Sequence, residues 1–229
     1  MASELTVAEE LLLLCWDDER GKRAVGGQFD QLLAGALLID LTLEGLIEVV
    51  DGKVEPAVGA SPTGPMRAAL LDRIRADAKP RKISRWMQRW AGDKEVRQAP
   101  VDRLVDRGVL RVEERRVLRL FHVTRHPLAD PARATEVRQR IGGVLTDDRP
   151  AAPRDAALAG LVATAGSGAV GRLVERSQRR AALKRGRQLA KEGVVGEVGE
   201  AVAQAQAAAM TAVTAAAAAS AASSASSSN

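Results

Sequence analysis

The 229-residue sequence contains no tyrosine, two phenylalanines and three tryptophans, Trp16, Trp86 and Trp90. So few π faces exclude nucleic-acid modules that stack successive bases on aromatic platforms. A single cysteine, Cys15, excludes an intrachain disulfide framework and a cysteine-based zinc site. It lies in the apolar run 11–16, where it reads as a small buried hydrophobe. The two histidines, His122 and His126, flank a strand end and a His-Pro turn. Without a shared helix face and a third ligand they read as packing or capping groups, not as metal ligands. The sequence also lacks a nucleophile elbow, a Gly-Lys-Ser phosphate loop and His-Glu-x-x-His. Residues 166–171 match G-x-G-x-x-G, but the preceding Ala/Leu-rich segment is helical and no βαβ unit surrounds it, so a helix–helix turn is expected. Asp17-Asp18-Glu19 has the charge for a cation site, but an acidic helix end or loop is the commoner reading. The expectation is a non-enzymatic protein with no catalytic residues, cofactor or metal.

Long hydrophobic runs are missing too. The run 11–16 is too short for a signal core or a membrane span, which predicts a cytoplasmic chain without an export signal. Hydrophobic residues make up 46% of the sequence, enough for a folded domain and against global disorder. One domain over residues 1–195 and an Ala/Ser-rich tail over 196–229 are expected. Residues 201–229 hold 15 Ala, 6 Ser and no charge, so nothing pins them to a core, and fraying is predicted beyond about Ala215.

Charge is present but unevenly spread. Residues 1–60 hold 4 basic and 12 acidic side chains (4 − 12 = −8), and residues 61–200 hold 30 and 17 (30 − 17 = +13). Two clusters carry the excess: 81–125, with 13 basic and 6 acidic residues, and 172–191, with 8 basic residues and one Glu. Such polarity points to a partner of fixed negative charge, nucleic acid or an anionic membrane surface.

Element by element, the class is mainly α: a multi-helix single domain with about nine helices and two small β-hairpins. Thr6 and Glu9 form a capping box opening a helix over 5–16. Residues 28–41 form an apolar helix, and Asp51-Gly52 is the turn of a hairpin over 46–55. Pro65 opens a helix reaching about Ala78. Helices over 83–91 and 96–107 precede a basic hairpin whose strands, 109–112 and 117–121, flank a turn at 113–116. Asp130-Pro131 opens another helix, and 154–191 holds two or three more.

The order helix, helix, hairpin over 81–121 has two physical readings. As a winged helix, 96–107 would enter the major groove and Arg115-Arg116 would touch phosphate, although Asp102, Asp106 and Pro100 oppose this. At a bilayer, Leu118, Leu120 and Phe121 would insert, and Arg111, Arg115, Arg116 and Arg119 would hold lipid phosphates.

Five ordered strings carry a family resemblance: residues 5–14, 36–41, 104–110 (Leu-Val-Asp-Arg-Gly-Val-Leu), 124–128 (Thr-Arg-His-Pro-Leu) and 185–189. Together they are similar to the Golgi phosphoprotein 3 family, including its bacterial members. The Ala/Arg-rich, Lys-poor composition resembles a high-GC, actinobacterial sequence. The resemblance implies a mostly helical domain with an exposed hydrophobic β-hairpin and peripheral membrane binding through phosphatidylinositol 4-phosphate. The family headgroup pocket uses a Trp and an Arg near the start of the second helix, positions that fall near Val25 and Ala34 here. It also uses two basic residues three apart on the helix before the hairpin, matched by Lys94 and Arg97. Expected partners are anionic membrane lipids, protein clients and further copies of the chain through the hairpin. Nucleic acid is the disfavoured alternative.

Overall fold

The computed structural model describes residues 5–18, 20–23, 29–117, 121–147 and 149–191. In chain order the elements are α1 (Val7–Leu14), β1 (Trp16–Asp17), β2 (Lys22–Arg23), α2 (Phe29–Leu43), β3 (Ile47–Val50), β4 (Lys53–Pro56), α3 (Pro65–Arg75), β5 (Arg81–Lys82), α4 (Ile83–Gly92), α5 (Lys94–Asp106), β6 (Glu113–Val117), β7 (Phe121–Arg125), α6 (Pro131–Thr146), α7 (Pro153–Ala165), α8 (Ser167–Val170) and α9 (Arg179–Leu189). The mainly α class is as expected. The short antiparallel pair β1–β2 and the third strand β5, which joins β3–β4, have no counterpart in the sequence reading.

The core forms around the two most apolar helices. Every residue of α1 is buried, and α2 is buried from Phe29 through Leu41 except at Asp30 and Gln31. Against this pair pack α4, α5, α6 and α7, and α9 lies on α6 and α7. Trp86 and Trp90, one turn apart, seat α4 with ring centroids 5.6 Å apart. Cys15 is fully buried, and burial pushes its thiol up to about 12, so it is an inert packing group.

Local chemistry accounts for the ends of these elements. Thr6 Oγ1 accepts the Glu9 amide at 3.2 Å, and Glu9 Oε2 accepts the Thr6 amide at 2.7 Å, closing the capping box. Asp51 and Gly52 both have positive φ (52° and 70°), as a two-residue hairpin turn of the mirror-image type requires. Pro65 and Pro131 occupy first turns, and Asp130 caps α6 by accepting the Arg133 amide. The G-x-G-x-x-G match is a turn between α7 and α8, with Gly166 at φ 104°.

A second anion sits at the α1 N-terminus. Asp40 of α2 is 3% exposed and accepts the Val7 and Ala8 amides at 2.7 and 3.0 Å. Burial outweighs these bonds and raises its carboxyl to about 6. A folded pKa above the ordinary 3.8 favours the protonated folded state. Its stabilisation is full below pH 4 and is lost as pH rises to about 6. Between pH 4 and pH 7, the stability of wild type relative to Asp40→Asn is therefore expected to fall by on the order of 2 kcal/mol. Urea unfolding of both proteins at each pH measures this, and a pH-independent difference would contradict it.

Candidate functional site

The charge polarity of the sequence is largely an internal matter. Glu9, fully buried on α1, accepts the Arg103 Nε at 2.8 Å and lies 3.8 Å from Arg107. Its neighbour Glu10 pairs with Arg140 at 2.6 Å and Arg154 at 3.1 Å. Arg138 grips Asp18 with both terminal nitrogens at 2.7 Å, Arg97 pairs with Asp30 at 2.7 Å, and Arg67 pairs with Glu44. Acidic residues of the first sixty thus meet arginines from 67 to 154. A net sequence charge of +13 over 61–200 overstates what is left for a partner.

Three basic side chains meet at a cavity of about 350 Å³. Asp93 starts α5 by accepting the Glu95 and Val96 amides at 2.9 and 3.2 Å. Burial opposes its ionisation, but the Val96 amide and the Arg73 guanidinium hold the carboxyl below its ordinary range. This cap extends the helix to Lys94, two residues before the predicted start. Lys94, Arg97, Gln98 and Val101 then fall on one face at i, i+3, i+4 and i+7 and form one wall. Leu12 and Leu33 supply apolar lining from α1 and α2. Trp16, Gly21 and Lys22 come from the β1–β2 turn, and Thr124 and His126 come from the end of β7 and the residues after it. Lys22, Lys94 and Arg97 are cationic; among the described residues no carboxylate lines the cavity, although Asp30 pairs with Arg97 at 2.7 Å.

The far wall is held by a clasp. The His126 amide donates to Gly21 O at 2.9 Å, and Trp16 Nε1 donates to His126 O at 2.9 Å. Gly21 has φ 58°, and a Cβ there would lie 2.9 Å from Pro127 N, so only glycine fits. His126 therefore positions the site through its backbone. Among the described residues no cluster of His, Cys, Asp or Glu is suited to a metal.

The other residues predicted for the site fare differently. Arg111 pairs with Glu113 at 2.9 Å, is largely exposed and does not line the cavity. The hairpin is shifted from its predicted register. Gly108 turns the chain at φ 69°, and the Val109 amide returns to Leu104 O at 2.9 Å, so Val109 and Leu110 pack into the core instead of forming a strand. The strands are β6 and β7, with Glu113 opposite Arg125 and Val117 opposite Phe121. Arg115 and Arg116 consequently lie within β6, opposite Val123 and His122, and not in the turn. For Arg115, Arg116 and Phe121 only the backbone is described, and Leu118, Arg119 and Leu120 lie outside the described residues. Val25 is also outside them. Ala34 is buried at 2% exposure and presents nothing to a ligand.

A larger cavity, about 680 Å³, is lined by Arg67, Arg103, Arg107 and Arg133, but Asp106 and Asp130 line it as well. Its guanidinium groups already face Glu44, Glu9 and Glu136, so it offers less to an anion than its size suggests. The winged-helix reading loses its recognition face. Val96, Val101 and Leu104 of α5 are in the core, while Asp102 and Asp106 are exposed.

The family model described as Golgi phosphoprotein 3 (GPP34) matches residues 7–216. The chain is 32% identical to a vacuolar protein sorting-associated protein 74 from Eremothecium gossypii, with 62% of this chain and 49% of that protein covered. It is 24% identical to the protein of the same name from Schizosaccharomyces pombe, covering 62% and 48%. The chain thus spans about half the length of these relatives. The match spans most of the helical body together with the cavity-bearing segments, so the chain belongs to the Golgi phosphoprotein 3 family.

Proposed function

We propose that this protein is a non-enzymatic peripheral membrane adaptor that captures anionic lipid headgroups, phosphatidylinositol 4-phosphate or a similar phosphate monoester, in the cavity formed by Lys22, Lys94 and Arg97. The observation carrying this reading is the convergence of three cations from β2 and α5 on one cavity whose described lining holds no carboxylate. A phosphate suits them because the Arg97 fork can grip two oxygens while each Lys adds a mobile point charge. Family membership and the name of its relatives, which refers to vacuolar protein sorting, agree with work at a membrane. No helix among the described residues is long and apolar enough to cross one. The hairpin β6–β7 supplies the insertion and self-association surface in this reading, with Leu118, Leu120 and Phe121 as its apolar residues and Arg111, Arg115, Arg116 and Arg119 as its phosphate contacts. Protein clients dock on the membrane-bound form. The lipid-binding unit ends near residue 195, before the uncharged tail, and the composition fits a bacterial source.

Sedimentation with vesicles tests the proposal. The protein should pellet with anionic vesicles and remain in solution with neutral phosphatidylcholine. Equal pelleting with both, or with neither, would sink it. Arg97 carries its own competitor, because Asp30 pairs with it at 2.7 Å across a partly buried contact. Asp30→Asn removes one negative charge beside the bound phosphate and is expected to tighten anionic-vesicle binding about threefold to tenfold. A weaker-binding variant would show that Asp30 orients Arg97 instead of competing for it.

A further inference from the structure

The second basic cluster is built differently from the first. Ion pairs bind arginines along the chain as far as Arg154, yet none of the eight basic residues in 172–191 pairs with a carboxylate among the described residues. Arg172, Arg179 and Arg185 donate to backbone oxygens of Trp16, Gly171 and Arg149. The other five, Arg176, Arg180, Lys184, Arg187 and Lys191, are exposed. At about 100° per residue, Arg180, Lys184 and Arg187 fall within about 60° of the circumference of α9. The buried residues of the same helix, Ala182, Gly186 and Leu189, lie on the opposite side. The result is a single-sign stripe directed straight away from the core, extended at both ends by Arg176 and Lys191.

This arrangement works against the helix that carries it. Arg180 and Lys184 are like charges four apart, and Arg179 and Arg180 occupy the first turn, where the helix dipole disfavours cations. Among the described residues no carboxylate forms an ion pair with these cations, so the stripe is suited to an external counter-charge. Its chemistry narrows the partner. Ala181 is the only exposed apolar residue on α9, and no aromatic is present, which removes both insertion into a bilayer and stacking on bases. What remains is attraction to a surface of fixed negative charge. Position favours a membrane. Arg172, at the start of the connector that leads into α9, donates to the backbone of Trp16, a residue lining the headgroup cavity. The connector that leads into α9 therefore touches a residue of that cavity's wall.

We infer that the exposed face of α9 is a second membrane contact, an electrostatic one that responds to anionic lipid density and not to headgroup identity. The inference rests on the membrane reading of the cavity, and the two separate experimentally. The triple variant R180Q/K184Q/R187Q keeps good helix formers at exposed positions and should leave far-UV dichroism unchanged and the melting temperature unchanged or slightly raised. On phosphatidylserine-rich vesicles at low salt it is expected to partition on the order of a hundredfold more weakly than wild type, with a flattened salt dependence. Lys94→Ala should lose preference for phosphatidylinositol 4-phosphate, and should lose far less of the phosphatidylserine partition than the triple variant does. Wild-type protein titrated with salt gives a check that needs no variant: release from phosphatidylserine vesicles as ionic strength rises. Unchanged partition of the triple variant would overturn the inference while leaving the cavity reading intact. It would equally be overturned if the triple variant lost binding to duplex DNA alone, which would make nucleic acid the partner of the stripe.

Discussion

Glu9→Ala is expected to lower the unfolding free energy by about 4 kcal/mol. Glu9 is fully buried, and its two oxygens do separate work: Oε1 accepts Arg103 Nε at 2.8 Å and Oε2 accepts the Thr6 amide at 2.7 Å. Removing the carboxylate opens half of the capping box and leaves two guanidinium groups, Arg103 and Arg107, each about four-fifths buried, without their central anion. Taking one partner from a buried pair costs more than the pair's net contribution, because the remaining charge stays desolvated. For a domain of this size the loss corresponds to a melting temperature about 10 °C lower. Thermal and urea unfolding followed by circular dichroism measure it. A change below about 1 kcal/mol would mean that the network is not structural. A second substitution sharpens the point, since replacing Arg103 and Glu9 together by apolar residues should restore much of the loss.

Gly186→Val is expected to cost about 3 kcal/mol or more by overpacking. Gly186 lies where α9 crosses α7, and a Cβ there would come within 2.5 Å of Ala163 Cβ, 2.9 Å of Ala159 O and 3.0 Å of Leu145 Cδ2. The nearest atoms are a methyl and a backbone carbonyl, neither of which can rotate away, so α9 must lift from the core. The higher helix propensity of a residue other than glycine returns less than about 1 kcal/mol. Displacing α9 also displaces its cationic face. The variant should therefore melt earlier and lose partition onto phosphatidylserine vesicles, whereas the triple glutamine variant should lose only partition. A Gly186→Val protein as stable as wild type would contradict the close packing of α7 and α9.

Elements whose chemistry is local were legible in the sequence. The Thr6–Glu9 box, the Asp51-Gly52 turn and the prolines opening α3 and α6 depend on residues within a few positions of one another. The basic hairpin was misplaced for a related reason. Residues 109–112 alternate like a strand, but Gly108 closes α5 and turns Val109 and Leu110 into the core, a long-range demand that the pattern does not display. The true strands begin at polar residues, Glu113 to Arg116, which carry no alternation to read. The site divided in the same way. Lys94 and Arg97 are adjacent on one helix face and matched a family pattern, whereas Lys22 and Trp16 reach the same cavity from more than seventy positions away in the chain. Charge was the least legible feature. Glu9 and Arg103, or Glu10 and Arg140, are remote in sequence, so an apparent excess for a partner proved to be spent largely inside the fold. The cavity lysines and the α9 stripe are among the cations that stay outward.

The most direct test of the account is the binding of wild type and the double variant Lys94→Ala/Arg97→Ala to two sets of vesicles at physiological salt, one of neutral phosphatidylcholine and one doped with phosphatidylinositol 4-phosphate. Both cations line the same cavity, and each charge-assisted contact to phosphate contributes on the order of 1.5–3 kcal/mol. Wild type should pellet with the doped vesicles only, and the double variant, with unchanged helical content, should bind them at least tenfold more weakly. Equal binding of the two proteins to the doped vesicles would contradict headgroup capture by this cavity.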